Sequence, residues 1–179
     1  MDIGVSDRLQ PLLAQVKAFM AAEIAPVEEE YLAEIGVGDR WQFTDRQTEI
    51  METLKGKAKA AGLWNFFLTD GEHGSGLTTV EYAYLAEEMG KSHIAAEVFN
   101  CAAPDTGNME VLHKYGSDAQ KKQWLEPLLN GEIRSAYAMT EPGVASSDAT
   151  NVCTSAVLEG DEWVINGEKH YISGAGDPR

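Results

Sequence analysis

Apolar residues recur at helical spacing through residues 9–130 of the chain. The first series comprises Leu9, Leu12, Leu13, Val16, Met20, Ile24 and Val27. Residues three and four apart lie on the same face of a helix, so this series predicts one amphipathic helix with a single buried face. Residues 28–38 lose the pattern, since three consecutive glutamates are followed by two glycines. We interpret that segment as the helix end and a solvated loop.

Three sequence signatures mark the starts of later helices. They are Ser/Thr-x-x-Glu/Gln capping boxes at residues 44–47, 78–81 and 117–120. In such a box, two side chains satisfy backbone N–H groups that a helix terminus leaves unpaired. Asp105 or Thr106 is expected to cap a further helix. Pro127 is expected to kink or end the last helix, because proline lacks a backbone donor.

Beyond residue 130 the pattern changes from helical to extended. Extended segments are predicted at residues 133–140, 151–158, 163–165 and 169–173. Asn166 and Gly167 have the sequence of a type I′ hairpin turn between the last two segments. The sequence therefore predicts an α+β protein, with a helical domain over residues 1–132 and the start of an antiparallel β domain over residues 133–179.

The predicted β domain is small for its type. A sheet of three or four strands with no covering layer leaves one apolar face without a partner. We therefore expect the chain to be a fragment of a longer protein, comprising a whole helical unit and the first part of a β unit.

The charge balance is strongly acidic. The chain of 179 residues has 14 Lys and Arg against 29 Asp and Glu, a net charge of −15. Such a charge repels phosphate backbones, so nucleic acid is not an expected partner. Membrane insertion is not expected either, since the apolar runs fall far short of the roughly 20 residues that a bilayer crossing needs.

The cysteines and the N-terminal residues bear on the compartment. Cys101 and Cys153 are too far apart for a metal knuckle and form no disulfide framework. The first residues contain no basic region followed by an apolar stretch, so no secretory signal is evident. A cytoplasmic location is expected, with a mitochondrial or peroxisomal one left open.

Most motifs that could indicate chemistry are incomplete. The glycine-rich loop at residues 71–76 lacks the Gly-Lys-Ser/Thr ending of a phosphate loop, and Gly174-x-Gly176 lacks the third glycine of a dinucleotide fingerprint. No Gly-x-Ser-x-Gly elbow is present. The four histidines, at positions 73, 93, 113 and 170, show no ligand spacing, so no metal site is predicted.

The informative stretch is residues 137–148, with the sequence Tyr-Ala-Met-Thr-Glu-Pro-Gly-Val-Ala-Ser-Ser-Asp. A strand runs into a Pro-Gly turn rich in small hydroxyl residues, which presents backbone N–H groups and hydroxyls in one place. Such a turn could bind a diphosphate or the polar edge of a planar ring, and it could equally be a simple β connection.

This stretch resembles the flavin-binding signature of the acyl-CoA dehydrogenase family, which is Thr-Glu-Pro followed by small residues and Ser-Asp. Residues 163–169 resemble the next hairpin of that family, and Tyr171-Ile172-Ser173 stands where the family usually has Trp-Ile-Thr. One extra residue in the turn is similar to a long-chain-type subgroup. Residues 62–64, 71–76 and 109–116 keep the family's order, so the resemblance spans essentially the whole chain.

The resemblance implies a fold and a reaction. Family members have an N-terminal helical domain, a middle β domain and a C-terminal helical bundle, with FAD between the last two. They oxidise an acyl-CoA to the enoyl-CoA, with a glutamate base on the C-terminal bundle, and pass electrons to an electron-transfer flavoprotein. The resemblance also implies that the complete protein forms a homodimer or a homotetramer. This implies that the chain contains no catalytic base, and that alone it is inactive and holds FAD weakly.

Site residues follow from the same resemblance. The cofactor-binding positions carried over are Tyr137, Ala138, Met139, Thr140, Ser146, Ser147, Tyr171, Ile172 and Ser173. Tyr137, Met139 and Thr140 would pass along the isoalloxazine edge, and Ser146 or Ser147 would meet the diphosphate. Ser147 would also bind the acyl-CoA substrate near its thioester. Tyr171 would flank the flavin ring, and Ser173 would point its hydroxyl toward flavin N5.

Two alternatives remain open at this stage. A flavin-dependent oxidase or monooxygenase could use the same fold, since these segments do not decide what reoxidises the flavin. The chain could also be a non-catalytic acidic interaction domain that uses its helical unit for docking or dimerisation.

Overall fold

The computed structural model describes residues 4–39, 41–71, 73–145 and 148–179. The chain forms two compact units, which meet in sequence between Ile133 and Arg134. The first unit is helical and the second contains a β-hairpin with irregular extended segments. The α+β class and the helical N-terminal domain predicted from the sequence are confirmed.

Among the residues that the structure describes, eight α-helical segments form the first unit. They are α1 (Leu9–Phe19), α2 (Ala25–Ala33), α3 (Asp45–Ala60), α4 (Thr79–Met89), α5 (Ala95–Val98), α6 (Asp105–Tyr115), α7 (Asp118–Gln120) and α8 (Glu126–Leu129). All three capping boxes are present, with both reciprocal hydrogen bonds, at the starts of α3, α4 and α7. The predicted cap of α6 is wrong, because Pro104 precedes the helix without a side-chain cap bond and Asp105 is already helical.

Pro26 and Pro127 lie inside continuous helical stretches rather than ending them. A π-helical segment, Met20–Ile24, joins α1 to α2, and another, Lys121–Leu125, joins α7 to α8. Pro26 and Pro127 follow these segments by two residues. A proline ring clashes with the carbonyl four residues earlier, and the wider π turn relieves that clash. The first helical stretch therefore runs to Ala33, and the predicted loop begins later than expected.

The core of the first unit is apolar and aromatic. Phe66 and Phe99 are fully buried, with ring centroids 5.7 Å apart, and Phe19 packs on Phe99 at 5.4 Å. Each of the helices α1, α3, α4 and α6 contributes at least one fully or nearly fully buried residue. The apolar faces that the sequence predicts for these helices are the faces that are buried in this core.

A buried pair of asparagines connects the C-terminal end of α8 to the core. Asn100 Nδ2 donates to Asn65 Oδ1 at 2.7 Å and to the carbonyl of Leu128 at 2.9 Å. Asn65 Nδ2 donates to the carbonyl of Leu129 at 3.1 Å. Both asparagines adopt the left-handed backbone conformation, with φ of 55°. Polar side chains therefore satisfy carbonyls that the helix terminus leaves without an intrahelical partner.

Within its described ranges, 134–145 and 148–179, the second unit contains one antiparallel hairpin, β1 (Ser155–Glu159) and β2 (Glu162–Asn166). Glu159 pairs with Glu162, so the turn lies at residues 160–161 and not at the predicted Asn166-Gly167. Gly167 has a packing role instead, because a Cβ there would stand 2.7 Å from Thr154 Cβ. The predicted strand at residues 169–173 is also wrong, since these residues form no strand in the structure.

None of the helices in the described ranges is both long and apolar enough to cross a lipid bilayer.

Candidate functional site

The segment predicted to bind the cofactor is an extended stretch of the second unit, residues 134–141. The amide of His170 donates to the carbonyl of Thr140 at 2.9 Å, and the amide of Arg134 donates to the carbonyl of Arg179 at 3.3 Å. Residues 170–179 thus run antiparallel to residues 134–140. The two backbone segments also approach each other closely between these two hydrogen bonds, since a Cβ on Gly174 would lie 3.2 Å from the Ser135 carbonyl oxygen.

This pairing brings two predicted groups of site residues onto neighbouring segments. Tyr137, Ala138, Met139 and Thr140 are on one segment, and Tyr171, Ile172 and Ser173 are on the other. Tyr137 is 61% exposed and Tyr171 is 90% exposed, while Met139 and Ile172 are half-buried. The side chains needed to contact a ligand are thus accessible within this unit. Their contact with a cofactor remains a prediction.

Tyr171 has an unusual backbone conformation for a bulky residue. Its φ of 52° lies in the left-handed region, which costs an L-residue about 1 kcal/mol or more. Its ring packs against His170 with centroids 4.4 Å apart. The turn at this position explains why the segment does not continue as a strand, and it leaves the phenol ring exposed.

A buried carboxylate anchors the extended segment. Glu141 is 5% exposed, and its Oε1 accepts from Lys169 Nζ at 2.8 Å and from the amide of Thr154 at 2.9 Å. The Thr154 hydroxyl also donates to Oε1, and the amide of Cys153 donates to Oε2 at 2.7 Å. Lys169 completes the cluster by donating to the carbonyl of Met139 at 2.9 Å. One carboxylate thereby fixes three segments of the second unit.

The ionisation of Glu141 follows from these contacts. The pKa of Glu141 is lowered from 4.5 to about 2, mainly because Lys169 donates a hydrogen bond to the carboxylate. The hydrogen bonds from Thr154 and Cys153 lower it further. Sequence reasoning placed Glu141 only in a turn motif. Its role depends on partners 12–28 residues away, which no local pattern indicates.

We expect this lowered pKa to make the second unit sensitive to acid. The stabilisation from ionised Glu141 is fully present above pH 4.5 and is lost as pH falls toward 2, because the unfolded chain takes up the proton first. The indole N–H signal of Trp163, followed by NMR through urea unfolding at pH 6 and pH 3, measures the change. Glu141→Gln should flatten this pH dependence relative to the parent. An unchanged slope in that variant would contradict the assignment.

The turn that follows is organised by an aspartate. Asp148 Oδ1 accepts from the Thr150 hydroxyl at 2.7 Å and from the Thr150 amide at 3.0 Å, which lowers the pKa of Asp148 and caps a short 3₁₀ helix, Ala149–Asn151. Gly143 takes a φ of 80° at the start of this turn. Ser146 and Ser147, predicted to meet the diphosphate and the acyl-CoA, lie outside the described residues.

A group of potential ligand atoms in the first unit was not predicted from the sequence. Asp70 Oδ2 lies 3.2 Å from His73 Nδ1 and 3.2 Å from His113 Nε2. His113 comes from α6, 40 residues after His73. The Asp70-x-x-His73 spacing was a usable local signal, but the second imidazole is brought in only by the fold.

Comparison with known proteins identifies the same two segments. Residues 6–132 match the family model of the acyl-CoA dehydrogenase N-terminal domain, and residues 136–179 match that of the middle domain. Acyl-CoA dehydrogenase family member 11 of Pongo abelii is 52% identical over 174 residues, which cover 95% of this chain and 21% of that relative. The chain thus spans about a fifth of the relative's length.

Two solved structures share the fold. A Mycobacterium abscessus protein assigned as an acyl-CoA dehydrogenase is 53% identical, with a TM-score of 0.89 over 98% of this chain and 44% of that one. An acyl-CoA dehydrogenase from Bacillus anthracis, complexed with FAD, is 29% identical, with a TM-score of 0.62 over 93% of this chain and 26% of that one.

Proposed function

We propose that this chain, which belongs to the acyl-CoA dehydrogenase family, supplies the helical domain and part of the flavin-binding domain of an FAD-dependent enzyme that oxidises an acyl-CoA thioester to the enoyl-CoA. The observation that carries the proposal is the anchored, exposed surface formed by residues 137–140 and 171–173. The family membership suggests that this surface binds a flavin. The FAD complex of the Bacillus anthracis relative supports the choice of cofactor.

The donors on this surface suit an isoalloxazine ring. Thr140 and Ser173 are exposed and offer hydroxyl groups, while Tyr137 and Tyr171 offer aromatic faces. A flavin presents a planar ring and a polar edge, and aromatic and hydroxyl groups match these two features. When bound, FAD supplies the acceptor for the hydride that leaves the β-carbon of the acyl group.

The remaining residues of the site hold the surface in place. Lys169 fixes the Met139 carbonyl, and Glu141 holds Lys169 together with the start of β1. These contacts are made by residues of the chain itself, and a segment that they hold in place loses less conformational entropy when a cofactor binds. Ser147 is proposed to contact the diphosphate and the thioester side of the substrate.

We assign no general base to the described residues. Glu141 is buried and has donors on both of its carboxylate oxygens, and its lowered pKa makes it a poor proton acceptor. A base for α-proton removal needs an accessible carboxylate within hydrogen-bond reach of the substrate. The base is therefore proposed to belong to the C-terminal bundle of the complete enzyme, with an electron-transfer flavoprotein as its electron acceptor.

The proposal is tested with the protein isolated from its natural source. Its intact mass, flavin content and oligomeric state are measured first, with a homodimer or homotetramer expected. Acyl-CoAs of several chain lengths are then supplied together with an electron-transfer flavoprotein. Formation of an enoyl-CoA without hydrogen peroxide supports a dehydrogenase. Stoichiometric formation of hydrogen peroxide would contradict a dehydrogenase and support an oxidase. A protein with neither bound flavin nor turnover would support the non-catalytic interaction domain.

Tyr171→Ala is expected to weaken FAD binding by about fivefold, because one aromatic contact is worth about 1 kcal/mol. Flavin fluorescence during titration of the native-source protein, stripped of cofactor, measures the affinity. Tyr115→Ala is the matched control, since Tyr115 is 81% exposed on α6 of the first unit. Equal affinities for parent and Tyr171→Ala would remove Tyr171 from the site.

A further inference from the structure

Three side chains with metal-ligating atoms converge in the first unit. Asp70 and His73 lie on the loop between residues 68 and 78, and His113 lies on α6. The amide of Gly74 donates to the Asp70 carbonyl at 3.1 Å, so the loop turns back on itself and places Asp70 and His73 side by side. Gly74 has no room for a side chain there, because a Cβ would stand 2.5 Å from Leu68 Cβ.

The spacing of the three ligand atoms fits a zinc-type site. Asp70 Oδ2 lies 3.2 Å from His73 Nδ1 and 3.2 Å from His113 Nε2, and all three atoms lie within 4.8 Å of one another. Metal–ligand bonds of about 2.0–2.1 Å at tetrahedral angles place neighbouring ligand atoms about 3.3 Å apart. Two of the three edges therefore already have the required length. The third edge, between His73 Nδ1 and His113 Nε2, is at most 4.8 Å and must shorten for both imidazoles to bind one ion.

The three side chains of the cluster are partly buried and are still accessible from solvent. The side chains of Asp70, His73 and His113 are 26%, 33% and 27% exposed. They are thus packed well enough to limit their rotamers while an ion and a water molecule can still approach. His73 also borders a surface cavity of about 370 Å³ that includes Trp64 and Asn130. A site of this kind has an entry path from solvent.

We propose that Asp70, His73 and His113 form a binding site for a divalent transition metal, with Zn²⁺ as the preferred ion and one coordination position left for water. Two imidazole nitrogens with one carboxylate oxygen form a donor set that favours zinc over the hard cations Mg²⁺ and Ca²⁺. A bound ion ties the loop after Leu68 to α6. The site therefore stabilises a connection between segments 40 residues apart in sequence.

Calorimetric titration of Zn²⁺ into the metal-stripped 179-residue chain tests the proposal. We expect one Zn²⁺ per chain, a weaker response to Mg²⁺, and tetrahedral visible absorption bands with Co²⁺. Asp70→Asn and His113→Ala should each lower the Zn²⁺ affinity at least about 100-fold, since even outer-shell losses cost 10–100-fold. Long-range ¹H–¹⁵N spectra should show coordination through Nδ1 of His73 and Nε2 of His113.

Two control variants separate this site from adventitious binding. His93 is an exposed histidine outside the cluster, and Cys153 is an exposed free thiol that could bind zinc by itself. His93→Ala and Cys153→Ser should retain the parent affinity and stoichiometry. Helical circular dichroism confirms that each cluster variant is folded. Absence of Zn²⁺ binding, or equal loss in the control variants, would overturn the proposal and leave the cluster as hydrogen-bonded side chains only.

Discussion

Asn100→Ala is expected to lower the free energy of unfolding of the helical unit by about 3 kcal/mol. Two costs add at this residue. Loss of the amide leaves the buried Oδ1 of Asn65 without the donor that lies 2.7 Å away, which costs about 1–3 kcal/mol. Alanine must also adopt a φ of 55°, which costs about 1–2 kcal/mol. Against a total stability of about 5–15 kcal/mol, the loss is large.

A second substitution at the same position separates the two costs. Asn100→Gly removes the amide but tolerates the left-handed backbone, so it should retain about 1 kcal/mol more stability than Asn100→Ala. Urea unfolding followed by helical circular dichroism measures both variants. Equal stabilities for alanine and glycine would show that the backbone contributes nothing. A change below about 0.5 kcal/mol in both would contradict the role of the buried amide pair.

The helices were predictable because their signals are local. A capping box needs two side chains three residues apart, and all three boxes formed as the sequence indicated. The departure from regular α-helix near Pro127 has an equally local cause. A proline ring clashes with the carbonyl four residues earlier in a regular α-helix, and the π turn before Pro127 accommodates it, so the helical stretch continues to Leu129.

The β region was harder to predict because its residues respond to distant neighbours. The Asn166-Gly167 pair has the sequence of a hairpin turn, yet Gly167 is explained by its contact with Thr154, 13 residues earlier. The actual turn uses Gly160, with a φ of 64°. A glycine can be required for its conformation or for its lack of a side chain, and the sequence alone does not separate these reasons.

The candidate site shows the same division between local and distant information. The resemblance of residues 137–148 to a known family located the segment. It did not reveal that Glu141 anchors it, because Cys153, Thr154 and Lys169 reach that carboxylate only in the folded unit. The zinc-type cluster likewise needs α6 to bring His113 to Asp70. Residues whose role lies in long-range contacts are found by the structure.

Glu141→Ala is expected to disorganise the proposed flavin surface, residues 137–140 and 171–173. Its removal takes the acceptor away from the amides of Cys153 and Thr154 and leaves the ammonium of Lys169 without its carboxylate partner. A hydrogen bond to a charged group contributes about 1.5–3 kcal/mol. Its loss therefore raises the population of the locally open state, from which amides exchange, at least about tenfold. We therefore expect hydrogen exchange of the Cys153 and Thr154 amides to accelerate at least about tenfold, as measured by NMR on the intact chain.

The same substitution should lower FAD affinity in the cofactor-stripped native-source protein by about tenfold, because Lys169 then no longer holds the Met139 carbonyl in a fixed place. Glu141→Gln keeps the shape but removes the charge, and it should fall between the parent and the alanine variant in both measurements. Glu168→Ala is the matched control, since that carboxylate is exposed and adjacent to Lys169. If exchange accelerates while FAD affinity stays unchanged, Glu141 stabilises the unit but the flavin does not contact the segment that it anchors. If neither changes, the carboxylate cluster has no anchoring role, and other contacts, among them the backbone bonds of Thr140 and Arg134, hold the segment in place.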